Sequence, residues 1–96
     1  MQRQFQKTAH IVERTIRDHH VLVPMKTGPA RLDALYTLNE TAAFIWKHLT
    51  PGSTVEDLTA RLVMEYETDP ETARTDIRKI IDGLLTVGAI EICQEL

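Results

Sequence analysis

Residues 35–46 read LYTLNETAAFIW, and the reading of this stretch decides the fold. Its opening residues resemble the end of a strand, its last seven the start of a helix, and Asn39 stands at the join. Asn is favoured at a helix N-cap because its side-chain oxygen accepts a hydrogen bond from a first-turn amide that has no partner inside the helix. Ala42, Ile45, Trp46 and Leu49 then follow at helical spacing. The stretch therefore predicts a strand up to Leu38 and a helix immediately after Asn39.

Upstream of the join the pattern is β. HIVERTI (10–16) puts Val12 and Ile16 on one face and Glu13 and Thr15 on the other; HVLVPM (20–25) is apolar and β-branched; RLDALYTL (31–38) spaces Leu32, Ala34, Tyr36 and Leu38 two apart. RDH (17–19) suits a hairpin, and Gly28 and Pro29 mark a second turn. These segments form an antiparallel three-stranded meander. Pro24 has no N–H for a ladder, so regular pairing is expected to bulge or end there.

Downstream the pattern is helical. A Pro-Gly turn at 51–52 precedes Ser53 and Glu56, spaced as a capping box for a helix whose Val55, Leu58, Leu62 and Val63 face the core. Asp69 caps a third helix with Pro70 in its first turn. Ala73, Ile77, Ile80, Ile81 and Leu84 form its apolar stripe, and it ends at Gly88. The fold class is α+β, winged helix-turn-helix-like: an N-terminal three-stranded antiparallel sheet followed by three helices. At 96 residues the chain fits one domain, placed at 10–93 behind an N-terminal arm at 1–9.

Composition excludes several functions. Apolar residues make up 43% and charged residues 26%, ordinary for a globular domain, and no apolar run is long enough to cross a bilayer. MQRQFQKTAH lacks the apolar stretch of a secretion signal, so the expected location is the cytoplasm. Cys93 stands alone, which rules out an internal disulfide and a CxxC motif. A net charge of -3 disfavours binding that depends on neutralising phosphates.

Nothing points to catalysis. His19 and His20 are adjacent and point to opposite faces of a strand, and His10 and His48 have no ligand-spaced partner, so neither a metal nor another cofactor is expected. GxSxG, HExxH and a phosphate-gripping glycine loop are missing. Acidic pairs such as Glu56 with Asp57 and Glu65 with Glu67 fit solvated helix faces.

Two features call for a partner instead. The third strand ends the meander, so one row of its backbone groups has no mate unless another strand adds to it. On the third helix Asp76 and Gly83 share one flank of the apolar stripe, and Arg74 and Arg78 share the other. Ile77, Ile81 and Leu84 fit a core stripe better than direct ligand contact. Gly83 fits close helix packing or room for a passing backbone. Phe44 falls on the far side of the first helix beside Lys47 and His48, where an exposed Phe44 with His48 would mark a contact with a partner enzyme or a second copy.

YTLNETAAFIW, TVEDLTARLVMEY and DPETARTDIRKIIDGLLTVGAIE together resemble the PqqD-like family, through Tyr36, Leu38, Asn39, Thr41, Ile45, Trp46, Asp76, Leu84 and Gly88. The resemblance covers about residues 10 to 92. The sequence departs from the family in the loop MKTGPARLDA (25–34) and at Gly83, where a larger residue is common, which bears on the depth of the helix groove. The resemblance implies a RiPP recognition element, a non-catalytic chaperone that binds the leader segment of a ribosomally made precursor peptide and presents it to a modifying enzyme, often a radical SAM protein. It also implies docking of the leader on the third strand against the third helix. The residues concerned are Leu32, Asp33, Ala34, Leu35, Tyr36 and Thr37 with Arg74, Asp76, Ile77, Arg78, Ile80, Ile81 and Leu84.

Two other readings compete. A winged-helix transcription regulator would read DNA with Arg74, Arg78 and Lys79, but Glu71, Asp76 and Asp82 on the same helix oppose phosphate contact. A structural dimerisation module would pair edge strands between copies, giving a homodimer.

Overall fold

The computed structural model describes residues 3–9, 11–24 and 36–95. In chain order these form β1 (Arg3–Lys7), β2 (Ile11–Ile16), β3 (His19–Pro24), β4 (Tyr36–Leu38), α1 (Glu40–His48), α2 (Val55–Tyr66), α3 (Pro70–Thr86) and β5 (Ile90–Glu95). The expected meander is the antiparallel sheet β2-β3-β4. β2 and β3 turn through Arg17 and Asp18, both at positive φ, as a two-residue hairpin of the primed kind requires. Pro24, opposite Ile11, is the last described residue of β3, and the segment that follows it lies outside the described residues.

A second sheet was not foreseen. β1 and β5 pair antiparallel from Arg3↔Glu95 to Lys7↔Ile90, with a register shift between Gln4 and Phe5. The segment expected as an N-terminal arm thus contains a strand, and that strand anchors the core through Phe5, which is buried together with Ile90. Phe5 also exchanges backbone hydrogen bonds with the α1–α2 connection: its N–H donates to Ser53 O at 2.8 Å, and its carbonyl accepts from Gly52 N–H at 3.0 Å.

The helix boundaries follow local chemistry. Asn39 Oδ1 accepts from Ala42 N–H at 2.8 Å, opening α1 at the predicted join. Asp69 Oδ2 accepts from Thr72 N–H at 3.1 Å, with Pro70 in the first turn of α3. The capping box of α2 sits one residue later than the sequence spacing suggested. Thr54 Oγ1 accepts from Asp57 N–H and Asp57 Oδ2 accepts from Thr54 N–H, both at 3.1 Å. Ser53 is already engaged, its hydroxyl accepting from Thr50 N–H at 3.0 Å.

The C-terminus of α3 closes at Thr86. Ala89 N–H donates to Leu84 O and Gly88 N–H to Leu85 O, with Gly88 at φ 77. This is the Schellman arrangement, which needs a residue free to adopt the left-handed conformation.

One cluster of buried side chains joins both sheets to all three helices. It includes Phe5, Leu22, Leu38, Trp46, Leu58 and Leu84, with Ile45 and Ile77 fully enclosed. On the β1 side the Lys7 ammonium lies 4.5 Å from the centre of the Trp46 ring, and partial burial pushes its pKa down against the opposing charge of Glu13.

Candidate functional site

Tyr36, Thr37 and Leu38 of β4 pair with Leu22, Val21 and His20 of β3. In the sheet order β2-β3-β4, β4 is an edge, so its outer row of backbone groups has no ladder partner among the described residues. Side chains alternate along it: Leu38 is buried, Thr37 is exposed, and Tyr36 is half-buried and packs against the core cluster.

Tyr36 crosses from β4 to α3. A β-carbon built on Gly83 would collide with the Tyr36 hydroxyl and lie 3.4 Å from Cζ. Gly83 therefore does make room, as its position on the helix suggested, but what it admits is a tyrosine side chain.

This contact fixes which flank of α3 faces the sheet edge. With about 100° of turn per residue, Asp76, Ile80, Gly83 and Val87 line the same side of the helix. Asp76 is exposed, Ile80 half-buried and Val87 41% exposed. This flank, apolar at Ile80 and Val87 and acidic at Asp76 toward the N-terminus of α3, is the one that Tyr36 of β4 reaches at Gly83.

Arg74 and Arg78 occupy the opposite flank. Arg74 Nε and Nη2 donate to Glu56 Oε1 and Oε2 at 2.8 and 3.2 Å, a two-pronged clamp onto α2. These hydrogen bonds hold the Glu56 carboxyl below its usual range, and the charges of Arg74 and Arg78 add to the effect. Ile77, Ile81 and Leu84 lie between the flanks and are buried, as a core stripe requires. Of the sequence-derived set, Tyr36 reaches α3 at Gly83, on the side of the helix that carries Asp76 and Ile80, while Thr37 is exposed on the other face of β4. The structure turns Arg74 and Arg78 away from that side. Leu32, Asp33, Ala34 and Leu35 lie outside the described residues.

Phe44 is not the exposed aromatic that the helical wheel suggested. It is half-buried, with its ring 4.4 Å from His48 and 5.4 Å, edge-on, from Tyr66 at the end of α2. The exposed member of this patch is Tyr66, which sequence reading passed over and which is 44% exposed. His48 Nδ1 is also 3.4 Å from Arg61 Nη1, beside a polar cleft of about 430 Å3 that Thr50, Ser53 and Asp57 help to line.

Among the described residues no three His, Cys, Asp or Glu side chains converge as a metal site would need. His20 Nδ1 lies 3.3 Å from Glu13 Oε2, and His10 is outside the described residues. No described helix is long and apolar enough to cross a membrane.

The profile of the family described as Coenzyme PQQ synthesis protein D (PqqD) matches residues 19–90. The chain belongs to the PqqD family. That match runs from the start of β3 to the start of β5 and so contains both β4 and α3. Among solved structures, a lasso peptide synthetase B1 complexed with a leader peptide is 26% identical, with a TM-score of 0.71 over 92% of this chain and 98% of that one. TbiB1 in complex with the TbiA(beta) leader peptide shares the fold at 23% identity and a TM-score of 0.72, covering 94% and 99%. The PqqD truncation of Methylobacterium extorquens PqqCD, a stand-alone RiPP recognition element, shares it at 21% identity and a TM-score of 0.70, covering 92% and 88%. No curated protein sequence matches the chain.

Proposed function

We propose that this member of the PqqD family is a non-catalytic, cytoplasmic chaperone that binds the leader segment of a ribosomally made precursor peptide by strand addition and presents it to a modifying enzyme of the radical SAM kind. The observation that carries the reading is the open edge of β4 facing the Asp76–Ile80–Gly83 flank of α3. An extended peptide there gains backbone hydrogen bonds from the edge and side-chain selectivity from the helix, and a rigid groove limits the ordering cost of binding. The lasso peptide synthetase B1 relative, solved in complex with a leader peptide, supports the same reading.

The peptide-contacting residues in this proposal are Tyr36, Thr37, Asp76 and Ile80, with Leu32 to Leu35 added from the sequence pattern. Ile77, Ile81 and Leu84 support the helix from beneath. The Phe44–His48–Tyr66 patch is assigned to the modifying enzyme. A DNA-reading role is disfavoured because Arg74, one of the cations it would use, is held by Glu56.

The test is titration of isotope-labelled protein with synthetic leader segments of candidate precursor peptides. Amide signals of Tyr36 to Leu38 and of Asp76, Ile80 and Gly83 should shift together and gain exchange protection, with a Kd near micromolar, about -8 kcal/mol. Shifts confined to Phe44, His48 and Tyr66 with a silent β4 would sink the assignment.

A further inference from the structure

Arg61 on α2 and Arg74 on α3 differ in how the chain uses their charge. Arg74 is matched by Glu56, whereas Arg61 is exposed and makes no ion pair among the described residues. What Arg61 meets is His48, whose Nδ1 lies 3.4 Å from Arg61 Nη1. A guanidinium presents N–H donors along more than one edge, so this single contact leaves most of them open.

Arg61 and His48 both line the cleft of about 430 Å3 beside the α1–α2 connection, together with Thr50, Ser53, Glu56 and Asp57. The carboxylates of that cleft are spoken for. Glu56 takes both hydrogen bonds from Arg74, and Asp57 Oδ2 accepts from Thr54 N–H in the capping box. The Arg61 end of the cleft is therefore rich in donors and carries a positive charge that no described residue balances. A carboxylate suits this place, since it matches the guanidinium with two parallel hydrogen bonds. A phosphate dianion suits it less, because it would bring twice the charge into a cleft that already holds Glu56 and Asp57.

His48 ties the cationic end of the cleft to the aromatic patch. Its ring centre is 4.4 Å from that of Phe44, and Phe44 meets Tyr66 edge-on at 5.4 Å, with Tyr66 44% exposed. Phe44 and His48 are one turn apart on α1, about 6 Å along the helix axis. A partner chain spans that distance with residues four apart on a helix, or two apart on an extended segment, where the spacing is about 6.7 Å.

Resting on the chaperone reading above, we propose that this surface recognises the modifying enzyme through an acidic segment, with an Asp or Glu carboxylate against Arg61 and His48 and a neighbouring large apolar side chain against Phe44 and Tyr66. Phe44 and His48 belong to α1 and Arg61 and Tyr66 to α2, so no residue is shared with β4 or with the Asp76–Ile80–Gly83 flank of α3. Leader and enzyme are thereby held on separate surfaces.

A phage-displayed library of random dodecapeptides, selected on the full chain and depleted on Arg61→Glu, supplies the probe. Peptides that survive depletion should carry Asp or Glu about two to four positions from a large apolar residue. Replacing that acid by its amide should weaken binding about tenfold or more by fluorescence anisotropy, and so should Arg61→Gln and Tyr66→Ala. Arg78→Gln, which removes an exposed arginine from α3, should change affinity by less than about twofold. All three variants alter exposed side chains and should keep the melting temperature of the parent. In labelled protein the signals of Phe44, His48 and Tyr66 should shift while the amides of Tyr36 to Leu38 stay still.

A depleted pool without a shared acid, amide peptides that bind as well as the acids, or equal losses in Arg61→Gln and Arg78→Gln overturn the proposal and leave strand addition standing. Surviving peptides that shift the β4 amides overturn it too, because the two surfaces would then be one. Leader segments that leave Tyr36 to Leu38 unprotected, while acidic peptides still shift Phe44, His48 and Tyr66, overturn strand addition and not this site.

Discussion

The two flanks of α3 share one backbone and one buried stripe, yet the structure treats them differently. On one side Arg74 reaches across to Glu56 with two hydrogen bonds, and Leu85 packs half-buried, so this flank is closed against α2. On the other side Ile80 and Val87 leave apolar surface in contact with solvent, and Asp76 is exposed. From the facing strand, among the described residues, Tyr36 crosses to Gly83. One flank is completed by the chain itself. The other has the character of a surface awaiting an extended partner, with backbone groups on one wall and side chains on the other.

The stripe between the flanks supports both. Leu84 is fully buried, and Leu84→Ala should cost about 3 kcal/mol, read as a fall in the denaturant midpoint at unchanged slope. That is a large share of the stability of a domain this size. A loss below about 1 kcal/mol would mean that the stripe is not the common support of the two flanks.

The flanks should separate in binding. Ile80→Glu places a charge on the open wall and should weaken leader binding about a hundredfold, whereas Arg78→Glu, on the closed side, should change it by less than about threefold. Both variants fold if their melting temperatures stay near that of the parent. Equal losses would erase the distinction between the flanks.

How much of this was legible in the sequence depends on how local each determinant is. Asn39 and the Asp69–Pro70 pair act within one turn of their own helices, and both caps stand where the sequence places them. The capping box of α2 was off by one residue because Ser53–Glu56 and Thr54–Asp57 have the same spacing. The choice was made by Thr50 N–H, which occupies the Ser53 hydroxyl. The β1–β5 pair was not legible, since Phe5 is one apolar residue in a polar run and its partner Ile92 lies at the other end of the chain.

The wheel of α3 correctly set Asp76 and Gly83 against Arg74 and Arg78, but a wheel has no outside reference. Which flank meets β4 and which meets α2 is decided by tertiary contacts, Tyr36 with Gly83 and Arg74 with Glu56. The same limit applies to Phe44. Its place on the helix suggested exposure, whereas it packs against the core cluster and is met by Tyr66 from α2.

A smaller effect probes the start of both flanks at once. Asp69→Ala removes the acceptor for Thr72 N–H and should destabilise the protein by about 1 kcal/mol, while Asp69→Asn, which keeps an acceptor oxygen, should stay close to the parent. Since the cap lies before the flanks diverge, leader affinity should barely change in either variant, and thermal unfolding alone should report the difference. A binding loss as large as that of Ile80→Glu would place part of the recognition surface at the first turn of α3.

The smallest expected effect belongs to the clamp on the closed flank. Glu56 is held below its usual pKa, first by the hydrogen bonds from Arg74 and then by the charges of Arg74 and Arg78, so folding favours its ionised form. A carboxyl whose folded pKa is depressed contributes its stabilisation above the ordinary glutamate pKa and loses it as acidification carries the pH down through the lowered folded value. The parent should therefore lose melting temperature across this acidic window more steeply than Glu56→Gln, which should start slightly lower at neutral pH and converge with the parent in acid. Both partners reach solvent, so added salt should shrink the difference. A Glu56→Gln curve that runs parallel to the parent at low salt would show that Arg74 gains nothing from its partner in solution. The closed flank would then be held by Leu85 and the buried stripe, and Arg74 would be free to meet a ligand after all.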